Sequence, residues 1–478
     1  MIDTEKLKKQ IPYYDTLAII AEEMQVEVYL VGGSPRDLVM GRSINDWDFA
    51  VSDRIFDYAR QVADRTGSAY VLLDQEFGIA RVVPRGGKIQ LDFALLKGSI
   101  EQDLLMRDFA MNSIAINIKT MTAEDPANGM GDIEKKLVRT LARQNITDDP
   151  LRILRAYRMA SKFGFDIEKD TLVWMSEEKE LLPNAAYERI RDELYKILAG
   201  TNSAPIIRRL YTDGVFDNIL PELKELDGMS QNQFHKYDVL EHTFVAFESI
   251  EEQVAKNFAP MPYSDMIRDY IGEKMAGDRT RLENLKFATL MHDIGKPAVR
   301  RVDVNGQLLY IGHHTEGRDI WFDIANRFKL SNKEIRFGAV MIEYHLNPVG
   351  IPIEKDPVRQ RSRTYDFFKN LGNAAPGVLL MSWADVDAGQ GEALTREMID
   401  KHHDFSCYLM GLYFSRNVIA FPPKLIDGKR VKELLPELPD KDIGAVIEKL
   451  TKAVGLEEVK NVDEAEAFVK NIKPEQGT

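Results

Sequence analysis

Two aspartates near the N-terminus, Asp46 and Asp48, follow shortly after a glycine pair, Gly32 and Gly33. The apolar run 28–31 before the glycines is short enough to predict a buried strand. A glycine pair lets the chain turn tightly and lets backbone N–H groups approach a ligand. Residues two apart in a strand project from the same face, so both carboxylates are predicted to point into one space. This arrangement predicts a site for Mg²⁺ and a triphosphate, suited to two-metal phosphoryl transfer.

Each half of this stretch is weak evidence alone, because glycine pairs are common in turns and an Asp-x-Asp pair is often a solvated strand end. Together, GGSPRD followed by DWDFAV resembles the first motif of class II tRNA nucleotidyltransferases and bacterial poly(A) polymerases, which are polymerase-beta-type nucleotidyltransferases. The resemblance implies that Asp46 and Asp48 hold two Mg²⁺ ions and that the glycines and Arg36 hold the triphosphate. Pro35 departs from the family pattern, which usually has an apolar residue there.

A second motif and a third carboxylate follow. Arg107, Asp108 and Asn112 stand at helical spacing, which predicts that Asp108 and Asn112 share a face. RDFAMN resembles the RDFxxN motif of the same family, which implies contacts to the ribose and the incoming nucleotide. Strand alternation around residue 91 places Asp92 on the face opposite its apolar neighbours. Asp92 is therefore a candidate third carboxylate, with an ordinary polar strand position as the equal alternative.

Residues 147–165 predict a helix that is capped at its start and carries Pro150 in its first turn. Asp149, Arg152 and, one turn on, Arg155 are then expected to lie close together. An adjacent acid and arginine can read the pairing edge of a base, although an exposed ion pair is the simpler interpretation. The stretch resembles the EDxxR element of the family, which implies base selection by Asp149 and Arg152. An aspartate precedes Asp149 where the family usually has glutamate.

The interval 94–106 is short. In enzymes of the family that build the whole CCA end, this interval usually includes a longer flexible loop that helps switch from C to A addition. The same shortening is associated with members that add only the two C residues. The sequence therefore leaves open whether A is added.

Most of the eight histidines fall in a spaced series with aspartates. Imidazole and carboxylate groups together suit a divalent transition metal, whereas a lone histidine on an apolar helix is usually a core residue. The order H…HD…H…H…D resembles the HD phosphohydrolase domain. That resemblance implies four ligands, His242, His292, Asp293 and Asp385, and two extra ligands of dinuclear members, His313 and His345. His314, His402 and His403 match no position of the pattern.

These motifs need a layered arrangement of elements to bring them together. The predicted fold is an α/β nucleotidyltransferase head (1–140), followed by a helical neck (141–203), an HD domain (204–395) and a helical tail (396–478). Residues 5–25 are predicted as one amphipathic helix. In the neck, Arg189 and Glu193 are expected to pair at i, i+4. The tail resembles the C-terminal segment of HD-bearing members, which implies a contact with tRNA.

Composition narrows the class of protein. A chain of 478 residues, 44% hydrophobic and 29% charged, predicts a globular protein of two to four domains. No apolar run approaches a membrane span, the first ten residues lack a signal-peptide pattern, and a single cysteine excludes an intramolecular disulfide, so the cytoplasm is expected. The net charge of −13 argues against indiscriminate nucleic-acid binding. A local excess of Lys and Arg over residues 130–165 is compatible with one RNA-binding face.

Three functions remain in order of preference. The first is a template-independent RNA 3′-terminal nucleotidyltransferase that adds C to tRNA from CTP, with ATP as a further substrate left open. The second is a metal-dependent phosphodiesterase or phosphatase at the histidine series, with the head as a nucleotide sensor. The third is poly(A) polymerase, which shares the head motifs but not the histidine ligands or the tail.

Overall fold

The computed structural model describes residues 4–87, 89–350, 354 and 356–472. Their contacts divide them into two units. The first unit takes the described residues of Met1–Ile197 together with Asp213–Asn218, and the second takes Leu198–Thr212 and the described residues of Ile219–Thr478.

A seven-stranded mixed sheet forms the centre of the first unit, in the order β3-β4-β5-β2-β1-β6-β7. Its strands are β1 (Val28–Val31), β2 (Asp46–Val51), β3 (Ala69–Asp74), β4 (Ile79–Val83), β5 (Gln90–Leu95), β6 (Ala115–Asn117) and β7 (Ala123–Glu124). Only the β2–β5 pair is parallel among the pairings of this sheet. The two strands that carry the candidate carboxylates are therefore direct neighbours, and their residues stand side by side in register.

The two faces of the sheet have different partners. Phe49 and Phe93 project into a core with Leu17 and Tyr58, which come from the helices on that side. Their alternate neighbours, including Ala50, pack into a smaller cluster on the other face. Because side chains alternate along a strand, the polar residues of β2 and β5 lie on this second, less covered face.

Helices surround the sheet and continue the first unit. They are α1 (Thr4–Gln10), α2 (Tyr14–Met24), α3 (Gly33–Val39), α4 (Ile55–Thr66), α5 (Ile100–Leu105), α6 (Gly129–Glu134), α7 (Arg143–Asp148), α8 (Arg152–Phe163), α9 (Lys169–Glu178) and α10 (Tyr187–Leu198), with a short parallel pair, β8 (Leu137–Val138) and β9 (Asp166–Ile167). The single helix predicted over 5–25 is wrong, since the chain breaks between α1 and α2. Pro12 lies in that break, and Tyr13 adopts a left-handed conformation with φ 56°.

The helix predicted over 147–165 is also two helices. α7 ends at Asp148 and α8 begins at Arg152, so Pro150 lies in the turn between them and not in a first helical turn. Proline disfavours the helical conformation of the residue before it, and Asp149 accordingly has φ −140° and ψ 88°. The break leaves Asp149 outside both helices, where its side chain can contact a third element.

The remainder of the chain is largely helical. Its helices are α11 (Ala204–Thr212), α12 (Phe216–Ile219), α13 (Val239–Ala255), α14 (Ser264–Gly272), α15 (Arg281–Met291), α16 (Lys296–Val299), α17 (His313–Arg327), α18 (Asn332–Tyr344), α19 (Asn347–Gly350), α20 (Pro357–Leu371), α21 (Ala375–Gly389), α22 (Arg396–Phe414), α23 (Gly428–Leu434), α24 (Ile443–Gly455) and α25 (Val462–Asn471). Two hairpins accompany them, β10 (Lys274–Ala276) with β11 (Arg279–Thr280), and β12 (Arg301–Val302) with β13 (Leu308–Leu309). Within the described residues, no helix has the length and apolar character that crossing a membrane requires.

Two apolar cores organise this second unit. The larger one joins α13, α15, α18 and α21 through residues such as Ile250, Leu285, Met341 and Leu380. A separate cluster around Val431 holds the three C-terminal helices together. α13, α15 and α18, with α21, therefore form a packed scaffold, and the histidine series lies on or next to these helices.

Candidate active site and histidine centre

Three aspartates lie on the less covered face of the sheet. Asp46 and Asp48 flank the buried Trp47 on β2, and Asp92 is paired in register with Asp48 across the parallel β2–β5 ladder. Burial, together with the charges of Asp92 and Asp46, raises the pKa of Asp48 to about 6 against the opposing effect of Arg107. The shared negative charge makes this face a fit for hard divalent cations such as Mg²⁺.

Asp92 differs from the other two carboxylates because it already has a cationic partner. Arg81, opposite it on β4, donates from Nε at 2.7 Å and from Nη2 at 2.8 Å to the two carboxylate oxygens. The predicted alternation of β5 is confirmed, with Leu91 and Phe93 buried on the other face. Arg81 thus fixes the orientation of Asp92 beside Asp48.

The glycine turn approaches the carboxylates closely. Gly32 has φ +73°, and a Cβ built on it would lie 3.0 Å from Oδ2 of Asp48 and 3.4 Å from Nη1 of Arg107. A Cβ on Gly33 would lie 3.1 Å from Nη2 of Arg36. The first position therefore needs glycine both for its backbone conformation and for space.

A cavity of about 320 Å³ opens beside this turn. It is lined by Gly32, Gly33, Arg107, Asp108, Asn112, Arg152 and Arg155. The guanidinium of Arg152 donates to the carbonyl of Met106 at 2.9 Å, while its buried Nε has no hydrogen-bond partner. The cavity thus combines three arginines with a glycine turn, which suits a phosphorylated ligand.

The second motif adopts a different local structure from the predicted helix. α5 ends at Leu105, and the chain passes through an extended Phe109 before a 3₁₀ turn at Ala110–Asn112. The helical spacing is therefore wrong, yet Nδ2 of Asn112 still donates to Oδ1 of Asp108 at 2.9 Å. The turn, and not a helix, brings these two cavity residues together.

Arg36 lies behind the cavity and not on its lining. Its buried guanidinium donates to both carboxylate oxygens of Asp37, at 2.9 and 3.0 Å, and through Nη1 to Oδ1 of Asn112 at 2.6 Å. It also stacks on the ring of Phe163, with 4.6 Å from Cζ to the ring centroid. The structure therefore places Arg36 where it orients Asn112.

Asp149 is bound by Arg189, for which the sequence predicted Glu193 as the partner. Nη2 of Arg189 lies 3.0 and 3.2 Å from its two carboxylate oxygens. The predicted Arg189–Glu193 pair is wrong, because the break before α8 leaves Asp149 within reach of Arg189. Glu193 instead accepts a hydrogen bond from Nε of Arg158 at 2.7 Å, and Arg155 lies 3.6 Å from it. Asp149 is outside the lining of the cavity.

A group of cations surrounds the ring of Phe163, and we call Arg42, Lys162 and Phe163 the Phe163 patch. Cζ of Arg42 is 4.7 Å and Nζ of Lys162 is 5.4 Å from the ring centroid. Burial lowers the pKa of Lys162, and the charges of Arg36, Arg158 and Arg42 act in the same direction. Sequence analysis included Lys162 in the basic stretch but missed Arg42, which is distant in sequence.

The six residues predicted as metal ligands come together in the second unit. Nε2 of His242 is 2.9 Å from Oδ1 of Asp385, and Nε2 of His292 is 3.3 Å from Oδ2 of Asp293. Nε2 of His313 is 3.4 Å from Oδ1 of Asp293. Nε2 of His345 is 3.5 Å from Nε2 of His313. These residues come from α13, α17, α21 and the C-terminal ends of α15 and α18, and we call them the histidine centre.

Backbone carbonyls set the orientation of three of these rings. Nδ1 of His292, His313 and His345 each lies 2.7 Å from the carbonyl oxygen three residues earlier, at Thr289, Tyr310 and Ile342. A ring whose Nδ1–H donates in this way presents Nε2 toward the centre, which is the usual orientation of a metal-binding histidine.

The electrostatics of the centre agree with cation binding. Burial lowers the pKa of His345 to about 3 and also lowers that of His313. Both rings are therefore neutral, and each presents the lone pair of an unprotonated nitrogen. Burial also disfavours charge on His292, but the carboxylates of Asp293 and Asp385 outweigh it and raise its pKa to about 10. Two buried carboxylates therefore draw positive charge into a space lined by imidazole nitrogens, and a divalent metal fits this donor set.

One member of this region was missed from the sequence. His235 belongs, with His242 and Asp385, to a set of ligand atoms that all lie within 4.8 Å of one another. The signal available in the sequence was a histidine seven residues before His242, in a segment that no motif covered. A cavity of about 360 Å³ is lined by His235, Asp293, His313, His345 and Asp385 among others, so His235 lies where the centre can be reached.

Comparison with known proteins matches three stretches of the chain to family models. Residues 28–139 match the model of the poly A polymerase head domain, and residues 266–387 match the HD domain. Residues 164–226 match a model described as "Probable RNA and SrmB- binding site of polymerase A". The A-adding tRNA nucleotidyltransferase of Deinococcus radiodurans is 30% identical over 92% of this chain and 94% of its own length. The chain belongs to the tRNA nucleotidyltransferase family.

Other members of this tRNA nucleotidyltransferase family differ in the nucleotide that their names specify. The CC-adding enzyme of Synechocystis sp. is 26% identical over 98% of this chain and 97% of its own length. Among solved structures, a CCA-adding enzyme with CTP superposes with a TM-score of 0.66 at 20% identity, covering 98% of both chains. The Thermotoga maritima CCA-adding enzyme complexed with tRNA gives a TM-score of 0.59 at 20% identity, covering 98% of this chain and 95% of that one. The predicted family and fold class, an α/β nucleotidyltransferase head followed by helical regions with an HD domain, are confirmed.

Proposed function

We propose that this chain adds nucleotides to the 3′ end of tRNA, transferring C from CTP. The observation that carries the proposal is the aspartate face of the sheet, where Asp46 and Asp48 stand beside a glycine turn and a cavity lined by arginines. We assign the head to 1–140, the neck to 141–203, the HD domain to 204–395 and the tail to 396–478. CTP and tRNA are the substrates.

The reaction joins the terminal 3′-oxygen of the tRNA to the α-phosphorus of the nucleotide, and pyrophosphate leaves. Asp46 and Asp48 would hold Mg²⁺, which neutralises charge on the phosphates and favours the ionised 3′-hydroxyl. The turn at Gly32 leaves room for the phosphates, and Arg107 carries the positive charge next to it. Asp108, held by Asn112, is placed to accept hydrogen bonds from the ribose.

Base selection would belong to Asp149 and Arg152. Cytosine and adenine both present an amino donor next to a ring acceptor, which matches a carboxylate next to a guanidinium. Uracil and guanine present the opposite order, an oxygen acceptor next to a ring N–H donor. Their acceptor would face the carboxylate and their donor would face the guanidinium, so neither group would be paired. Because C and A share this pattern, these two residues reject U and G but do not separate C from A.

The interval between the two head motifs supports C addition. β5 ends at Leu95, and a capping box between Ser99 and Gln102 starts α5 at Ile100. The link is therefore short and continues into an ordered helix, in place of the long flexible loop associated with A addition in the family. Addition of C alone is the expected outcome.

The experiment uses purified protein and a tRNA transcript that lacks its 3′-CCA, with each of the four nucleoside triphosphates in turn. CTP is expected to extend the transcript by two nucleotides, and Asp46→Ala is expected to abolish extension while thermal unfolding is unchanged. Extension by ATP alone on a transcript ending in CC would instead make the enzyme an A-adding one. Wild-type activity of Asp46→Ala would remove the proposal.

The tRNA backbone would contact the Phe163 patch. Arg42 and Lys162 place two cations, each still reached by solvent, on a single aromatic ring. Asp37, whose charge raises the pKa of Lys162, is already paired with Arg36 at 2.9 Å. Unbalanced positive charge in a chain with a net charge of −13 favours a polyanion at this surface. We assign the partner as RNA because the family model over residues 164–226 begins directly after this patch.

A second activity is supported by the histidine centre. The ring orientations fixed by Thr289, Tyr310 and Ile342 aim imidazole nitrogens at two buried carboxylates, as a transition-metal hydrolase requires. We assign phosphoester hydrolysis to this centre, tested with a 2′,3′-cyclic nucleotide. His292→Ala should abolish hydrolysis and leave nucleotide addition intact, whereas Asp46→Ala should do the reverse. Absence of hydrolysis with Mn²⁺, Ni²⁺ or Co²⁺ would refute this assignment.

A further inference from the structure

His235 lies next to the histidine centre without belonging to the predicted ligand pattern. Its Nδ1 is 2.9 Å from Oδ1 of Asn232, and its ring centroid is 4.9 Å from that of His242. A hydrogen bond from Nδ1–H to Asn232 then directs the lone pair of Nε2 away from that amide.

The ligand atoms around the centre form three overlapping groups of three. The first joins His235, His242 and Asp385, the second joins His242, His292 and Asp293, and the third joins Asp293, His313 and His345. Neighbouring groups share one residue, yet the first and third share none. Among the described residues, no set of ligand atoms within 4.8 Å of one another joins His235 with His313 or His345, so the first and third groups are separate candidate sites.

The two outer groups also differ in accessibility. All members of the third group are buried, whereas His235 is only partly buried and lines the cavity. His242 contributes an Nδ1 that is buried and has no hydrogen-bond partner among the residues that the structure describes. Two imidazoles with one carboxylate leave coordination positions open for water or a phosphoester oxygen.

We propose that His235 is a metal ligand, and that with His242 and Asp385 it holds a divalent transition-metal ion at the accessible side of the histidine centre. This ion is additional to the one held by Asp293, His313 and His345. The inference rests on the metal occupancy of the histidine centre proposed above. The substrate class follows from the open positions, which would take a phosphate oxygen that enters through the cavity.

The test is metal stoichiometry, which does not depend on catalysis. Full-length protein is stripped with a chelator, loaded with Mn²⁺ or Ni²⁺, freed of excess metal and analysed for bound metal per chain. The variants are His235→Ala and His235→Gln, compared with the wild type. The matched control is His403→Ala, because His403 stacks on Trp383 at 3.6 Å and lies 3.2 Å from Asp387, outside all three ligand groups.

The wild type and His403→Ala should bind the same number of ions, and both His235 variants should bind one fewer or bind one at least tenfold more weakly. Thermal unfolding of the stripped proteins separates loss of a ligand from loss of fold. Wild-type stoichiometry and affinity in both His235 variants would overturn the inference while leaving the histidine centre in place. A wild type that binds no metal would overturn both, whereas nucleotide addition reports on the head independently.

Discussion

Replacement of Asp149 by asparagine separates base selection from structure. The substitution preserves the shape of the side chain but exchanges a pure acceptor for a group that also donates. In the proposed site, the carboxylate accepts from the amino group of cytosine and opposes the O4 acceptor of uracil. Asparagine can turn its amide and donate to that O4. The variant is therefore expected to lose discrimination between the bases and to keep its fold.

The structure sets the size of this effect. Among the described residues, the Asp149 carboxylate accepts hydrogen bonds only from Arg189, at 3.0 and 3.2 Å, and the Arg189 side chain is 51% exposed. An exposed ion pair of this kind contributes about 0.2–1 kcal/mol, so an incoming base can compete for the carboxylate. A matched pair of contacts to a base edge gives about 1–3 kcal/mol of discrimination. Since about 1.4 kcal/mol corresponds to tenfold, the preference for CTP over UTP should fall roughly 5- to 150-fold.

The assay is the ratio of kcat/KM for CTP and UTP on tRNA lacking its 3′ end. The matched control is Asp148→Asn. Asp148 is exposed, and within the described part of the chain its side chain accepts a hydrogen bond only from Gln144, at 2.7 Å. Asp148→Asn should keep the wild-type ratio. An unchanged ratio in Asp149→Asn, or an equal loss in both variants, would refute the assignment of base reading to Asp149.

Three further predictions address the surface and the framework. Combined Arg42→Ala and Lys162→Ala should raise KM for tRNA, leave KM for CTP unchanged and reduce the slope of log affinity against log salt by about 2. The control is Arg60→Ala, which removes an exposed arginine stacked on a tyrosine and should change neither KM for tRNA nor the salt slope. Arg36→Lys should raise KM for CTP without lowering tRNA affinity, because an ammonium does not bridge Asp37 and the cavity asparagine together; an unchanged KM would contradict the positioning role. Lys286→Met should lower the free energy of unfolding by about 3–5 kcal/mol in urea, because buried Lys286 donates to two backbone carbonyls and a carboxylate at 2.8 Å each; a loss below 1 kcal/mol would contradict this.

The sequence predicted the parts of the site that depend on local periodicity. Strand alternation predicted that Asp46 and Asp48 share a face and that Asp92 lies opposite Leu91 and Phe93, because a period of two fixes which side each residue takes within its strand. The parallel pairing of β2 with β5, which puts all three on one face, was found only in the structure. Prediction from the sequence failed where two local preferences of the same residue conflicted. Proline at 150 was assigned to a first helical turn, but its effect on the preceding residue prevailed, and Asp149 left the helix.

Contacts between residues distant in sequence were beyond prediction from one chain. The contacts of Arg36 with Asn112 and with the ring of Phe163 could not be read from the sequence. Arg42 meets that same ring from a different part of the chain. His235 had no motif to mark it, and its segment is held by backbone pairing with residues 389–393, where its ring lies 4.9 Å from that of His242. Spacing along the chain carries no information on these approaches.

The glycine turn explains why the two halves of the first motif belong together. In β1 and β2 the residues Val31 and Asp48 are paired, so the residue after Val31 must lie against the aspartate side chain. That residue is Gly32, and a Cβ there would stand 3.0 Å from Oδ2 of Asp48 in a left-handed conformation that other residues rarely adopt. A side chain at this position would displace the carboxylate of Asp48, whose pKa is already raised by burial and by the charges of Asp92 and Asp46. The space proposed for a phosphate and the geometry that holds the carboxylate therefore depend on the same absence of a Cβ at Gly32.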